Sequence, residues 1–117
     1  MKDVKAEKSY EFSVKVLREV RKARKENKEH DLLNQLLRSA TSIGANIAES
    51  EYAQSSRDFI SKLSIARKEA NESRYWLRLF GAEGLLEKEA ARDLYRDADE
   101  IIHILTAIIK TMQDKEE

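Results

Sequence analysis

The sequence predicts an all-α protein, an antiparallel up-down-up-down four-helix bundle that assembles as a homo-oligomer. Three observations lead there. The 117 residues include no Pro, three Gly and 38% charged residues, a composition rich in helix formers and poor in breakers. Apolar residues recur every three or four positions in four stretches joined by short polar segments. Long helices with short connections fold back on one another. Finally, residues 32–48 read LLNQLLRSATSIGANIA, where Arg38 is the one charged residue; at the chain's average charge such a window would hold about six.

The first helix is expected over residues 3–28, on the spacing of Phe12, Val16, Val20 and Ala23 with Val14 and Leu17 beside them. Residues 25–30 are polar without apolar periodicity and mark a turn, with Asp31 as the candidate N-cap. The second helix is expected over 32–52, with Leu33, Leu36, Ala40, Ile43 and Ile47 as its stripe. A turn follows at 53–56, where Ser55 and Asp58 make a capping-box-like start. The third helix is expected over 56–82, on Phe59, Leu63, Ala66, Ala70, Ser73, Leu77 and Phe80. Gly81 and Gly84 bracket its end, as a glycine C-cap would. The fourth is expected over 87–113, where Ala91, Leu94, Ala98, Ile101, Leu105, Ile108 and Met112 alternate by three and four, widened by Ile102 and Ile109. No linker, repeat or low-complexity tract interrupts the pattern, so residues 1–117 read as one domain, large enough for a modest core.

Without Cys there is neither a disulfide framework nor a thiolate metal site. The opening MKDVKAEKSYEF holds no apolar signal core, and no apolar run is long enough for a membrane span, so no membrane partner is expected and the expected location is cytoplasmic. Net charge is zero, which weighs against strong sequence-independent nucleic-acid binding. The charge is uneven, however. Residues 1–29 carry ten basic and six acidic side chains, and residues 83–117 carry five and ten.

On the second helix, Arg38, Ser42, Asn46 and Glu49 fall on one side, opposite the apolar stripe. This is either a mildly polar solvent face or a second contact face. The second is favoured because solvated faces elsewhere in the chain are rich in Lys, Arg and Glu. Ser39, Ala40, Ser42, Gly44 and Ala45 point to close helix approach, and Gly44 costs about 1 kcal/mol relative to Ala. With a turn centred near Gln54, Arg38 falls level with Glu69 and Glu72, and Glu49 with Phe59 and Lys62. Ile65, Glu69, Glu72 and Trp76 form a second stripe on the third helix. An Arg38 pair with Glu72 or Glu69, within or between subunits, is expected. The expected oligomer interface comprises Arg38, Ser42, Asn46, Glu49, Glu69, Glu72 and Trp76.

The run RSATSIGANIAE at 38–49, Asp58-Phe59, IARKEANE at 65–72 and Tyr75-Trp76-Leu77 resemble the four-helix-bundle proteins linked to intervening sequences in bacterial 23S ribosomal RNA genes, sometimes labelled S23 ribosomal proteins. The resemblance covers nearly the whole chain, and Asn46-Ile47-Ala48-Glu49 is its more specific block. Many members have Gly at the position of Ser50. The resemblance implies a bundle assembled as a ring, a pentamer, with an undefined biochemical role; it does not imply a structural ribosomal protein. A related group, the accessory variability determinants of diversity-generating retroelements, is a basic pentamer that contacts nucleic acid and reverse transcriptase, whereas this chain is neutral.

Catalytic chemistry finds little footing. Glu100 and His103 make one E-x-x-H spacing, but a di-iron bundle needs two plus two further Glu, and the other His, His30, lies in a turn. There is neither a Gly-rich phosphate loop nor a strand–turn–helix nucleophile elbow. No enzyme, metal site or cofactor is expected. Arg18, Arg21, Lys22, Arg24, Lys25 and Lys28 cluster late in the first helix. They read as a solvated helix end, as a contact with RNA or DNA phosphates, or as a dock for a neighbour's Glu89, Asp93, Asp97 and Glu100. Tyr75 and Trp76 suit base stacking or an interface, the latter favoured. The leading expectation is a non-catalytic scaffold. The alternative is a nucleic-acid-binding accessory protein acting through the helix-one cluster.

Overall fold

The computed structural model describes residues 3–116, which form four α-helices and no strand. They are α1 (Val4–Glu26), α2 (His30–Ser50), α3 (Ser56–Glu83) and α4 (Lys88–Glu116). Local chemistry sets their ends. Asp3 caps α1 by accepting from the Ala6 amide at 3.3 Å. The helix stops two residues before the expected 28 because Asn27 turns extended and its side-chain amide donates to the Ala23 carbonyl at 2.8 Å. His30 Nε2 lies 2.9 Å from the Asn27 carbonyl and 3.2 Å from that of Arg24, tying the two helices together at the turn. α2 therefore begins two residues before the expected 32, with Glu29 at the N-cap. Asp31 lies in the first turn, where its charge favours the helix dipole rather than capping.

At the start of α3 the Ser55 hydroxyl accepts from the Asp58 amide at 3.0 Å, and the Asp58 carboxylate accepts from the Gln54 amide at 3.2 Å. Gly84 ends that helix with φ 77°, a conformation Gly adopts without a Cβ penalty. α4 runs three residues past the expected 113.

The apolar stripes of all four helices meet in one core. Phe59, Ile108 and Met112 are only half-buried, at the end where α3 starts and α4 finishes, and Ile109 is buried in place of Ile108. Each helix packs on its neighbours in sequence, and α1 closes onto α4; the diagonal pairs do not meet. Lys8 pairs with Glu100 at 2.8 Å, Lys15 with Asp97 at 3.0 Å and Lys22 with Glu87 at 3.4 Å, so numbers rise along α1 as they fall along α4. The same order links α1 to α2, through Lys5 to Glu51 at 3.6 Å, Ser13 to the Ala40 carbonyl at 3.5 Å and Arg24 to Asn34. It also links α3 to α4, through Arg67 to Thr106 at 3.4 Å and Arg74 to Asp99 at 2.6 Å.

Among the described residues the buried polar side chains are serines, Ser9, Ser39, Ser50 and Ser73, and each hydroxyl reaches a carbonyl one turn back in its own helix. Gly44 does lie against α1, but at ordinary contact: a Cβ there would stand 3.6 Å from Ser9 Oγ and 3.7 Å from Ser13 Oγ. The tightest approach is at Gly81, where a Cβ would stand 2.9 Å from Ala91 Cβ.

Candidate functional site

The helical spacing places the residues singled out on α2 and α3 toward the outer side of the α2–α3 seam. Its floor is the buried contact between the Ser39 and Ser73 hydroxyls, 2.9 Å apart. Small side chains let the two backbones approach there, which sets the register. Counting from that pair, Arg38 stands level with Arg74, two residues beyond Glu72 and five beyond Glu69. Neither carboxylate is within ion-pair distance of Arg38 among the described residues. Arg38, Glu49 and Glu72 are exposed and Glu69 is half-buried, all without a side-chain partner.

Ser42 and Asn46 behave differently. The Asn46 amide donates to the Ser42 carbonyl at 2.8 Å and to its hydroxyl at 3.2 Å, so this pair is satisfied along its own helix. Trp76 is half-buried, stacked on Phe80 with centroids 5.8 Å apart and edge-on to Tyr75 at 5.1 Å. Its indole N–H is buried without a hydrogen-bond partner among the described residues. Ile65, 39% exposed, and Tyr75, 61% exposed, add apolar area. The face thus combines aromatic and aliphatic surface with unpaired charges of both signs.

The helix-one cluster divides. Lys22 pairs with Glu87 and Glu19, and these carboxylates push its ammonium above the usual lysine range. Arg24 donates to Asn34. Arg18, Arg21, Lys25 and Lys28 are exposed and unpaired. Of the acidic stripe on α4, Asp97 and Glu100 face α1 and pair with Lys15 and Lys8 of the same chain, and Asp93 pairs with Arg96 at 3.5 Å. The hydrogen bond and charge of Glu100 push Lys8 up as well.

His103 Nδ1 lies 2.8 Å from the Asp99 carbonyl, one turn back on α4. Among the described residues no three His, Asp or Glu side chains are grouped to hold a metal ion, and no helix is long and apolar enough to cross a membrane. The serine contact and the self-bonded Asn46 were not readable from spacing. The hints in the sequence are Ser73, polar within the α3 stripe, and Ser39, one of the small residues that point to close helix approach.

The sequence model of the 23S rRNA-intervening sequence proteins matches residues 3–107. Among solved structures, the chain is similar to a protein of unknown function from the S23 ribosomal protein family of Bacteroides thetaiotaomicron. The two share 45% identity over 91% of this chain and 98% of that one, with a TM-score of 0.87. No curated protein matches the chain.

Proposed function

The chain belongs to the 23S rRNA-intervening sequence protein family, and we propose that it is a non-catalytic cytoplasmic scaffold, an antiparallel bundle assembled with copies of itself into a pentamer. The observation that carries this is the α2–α3 face. Arg38, Glu49 and Glu72 stand exposed and unpaired beside Ile65 and Trp76, while the α1–α4 seam matches cation to anion three times. A second copy would supply partners for these charges and cover the apolar area, and closed symmetric assemblies are the common outcome of such contacts. The descending residue numbers across the α1–α2, α1–α4 and α3–α4 seams support the antiparallel order. An Arg38 pair with Glu72 of a neighbour would fix register more than add stability. Arg38→Glu should release smaller species in light scattering, and adding Glu72→Arg should restore the parent mass. An Arg38→Glu protein of unchanged mass would refute the pairing.

A second function is favoured by Arg18, Arg21, Lys25 and Lys28, which have no partner among the described residues. Repeated around a ring, they would bind RNA or DNA phosphates with avidity. Affinity should then fall steeply with salt, and Lys25→Glu should weaken it; binding insensitive to salt would count against phosphate contact.

A further inference from the structure

Near its N-terminal end, the two seams of α4 carry different charge. Towards α1 it turns Asp93 and Asp97, and that seam pairs charges of opposite sign. Towards α3 it turns Lys88, Arg92 and Tyr95, and α3 answers with another cation, Arg78. These three cations are exposed, and among the described residues no ion pair joins any of them to a carboxylate. Of the neighbouring acids, Glu87 pairs with Lys22, Asp93 with Arg96 and Asp99 with Arg74, while Glu83 and Glu89 are exposed and form no ion pair with these cations among the described residues. Like charges facing across a groove repel, and no ion pair among the described residues offsets that repulsion.

Between the cations lies a cleft of about 230 Å³ with an apolar lining. Its floor is Leu77, Gly81 and Ala91, where the missing Gly81 side chain lets the helices close to near contact. Its wall is Tyr95, 36% exposed, with the Arg74 guanidinium 5.7 Å from the ring centroid. Pockets for whole small molecules span about 300–1,000 Å³. This one fits a single ring and leaves the rest of a ligand outside, among the cations. We propose that the α3–α4 cleft binds a nucleoside phosphate, with the base against Tyr95 and the phosphates on Arg78, Lys88 and Arg92. The chemistry combines base–aromatic contact with charge-assisted hydrogen bonds from guanidinium groups. The nucleoside phosphate is either free nucleotide or a residue of single-stranded RNA.

The test is fluorescence anisotropy on the full chain at low salt, with labelled ATP and a labelled single-stranded RNA, competed by tripolyphosphate. Binding should fall at least tenfold in Arg78→Glu/Arg92→Glu and fall in Tyr95→Leu, while Lys68→Glu/Lys110→Glu, at exposed cations outside the cleft, binds like the parent. The double reversal should melt no lower than the parent, because it relieves repulsion. If it fails to fold, Arg78→Gln/Arg92→Gln takes its place. Binding of ATP assigns the site to free nucleotide, and binding of RNA without ATP assigns it to single strands. The proposal is overturned if neither probe binds, if tripolyphosphate competes as well as unlabelled ATP, or if the Lys68/Lys110 reversal costs as much as the α3–α4 reversal.

Discussion

Gly44 and Gly81 both sit inside helices, yet their surroundings give opposite expectations. At Gly81 a methyl would meet Ala91 Cβ at 2.9 Å, and that atom has no rotamer by which to yield. Gly81→Ala should cost about 1–3 kcal/mol as α3 and α4 are forced apart. At Gly44 the nearest atoms are serine hydroxyls at 3.6 and 3.7 Å, so Ala fits and gains helix propensity. Gly44→Ala should be neutral or stabilise by up to about 1 kcal/mol. Urea denaturation of both variants checks the pair, and equal effects would contradict the packing described. Asp3 gives a pH-dependent counterpart. Burial works against its charged form, but hydrogen bonds involving Glu51, Lys5 and the Ala6 amide outweigh it and hold the carboxyl below its ordinary value of 3.8. A carboxyl whose pKa is lower folded than unfolded adds stability in full above the unfolded value. It loses that stability as pH falls through the folded one. Asp3→Ala should cost about 0.5–2 kcal/mol near neutrality. That difference should shrink below pH 3.8; melting curves that stay equally separated there would refute the linkage.

Among the elements, α3 has the most explicit local signals. Ser55 caps it and Gly84 ends it, both readable from residue type alone. Ser55→Ala should destabilise by about 1 kcal/mol in chemical denaturation, and a change within error would mean the cap carries no weight. The four helices were legible because three- and four-residue periodicity is a property of each segment by itself. Their ends shifted by two or three residues where the deciding partner lay outside the segment, as with Asn27 and His30 at the first turn. Side-by-side relations were less legible. The burial of Ile109 rather than Ile108 depends on how α4 is rotated, and the Ser39 contact with Ser73 depends on register. Both are fixed by packing between helices, which one helix's spacing does not encode. The charge-poor face of α2 was legible. The cation-lined cleft was not, because Arg78 and Arg92 come together only once the Gly84 turn folds α4 back along α3.

At the scale of the molecule, the bundle measures 50 × 25 × 20 Å and keeps its balanced charge unevenly disposed. The α1–α4 seam is neutralised within the chain. The exposed pairs there should contribute little, on the order of 0–1 kcal/mol each, since water and salt screen them. On the α2–α3 side Arg38, Glu49 and Glu72 are exposed and unpaired among the described residues, and Ile65 and the half-buried Trp76 add apolar surface. Assembly through that face is the central claim, and the mass of the unmodified protein in solution tests it most directly. Multi-angle light scattering at micromolar concentration should give about five times the 13.6 kDa chain mass. A mass of one chain across that concentration range would contradict it.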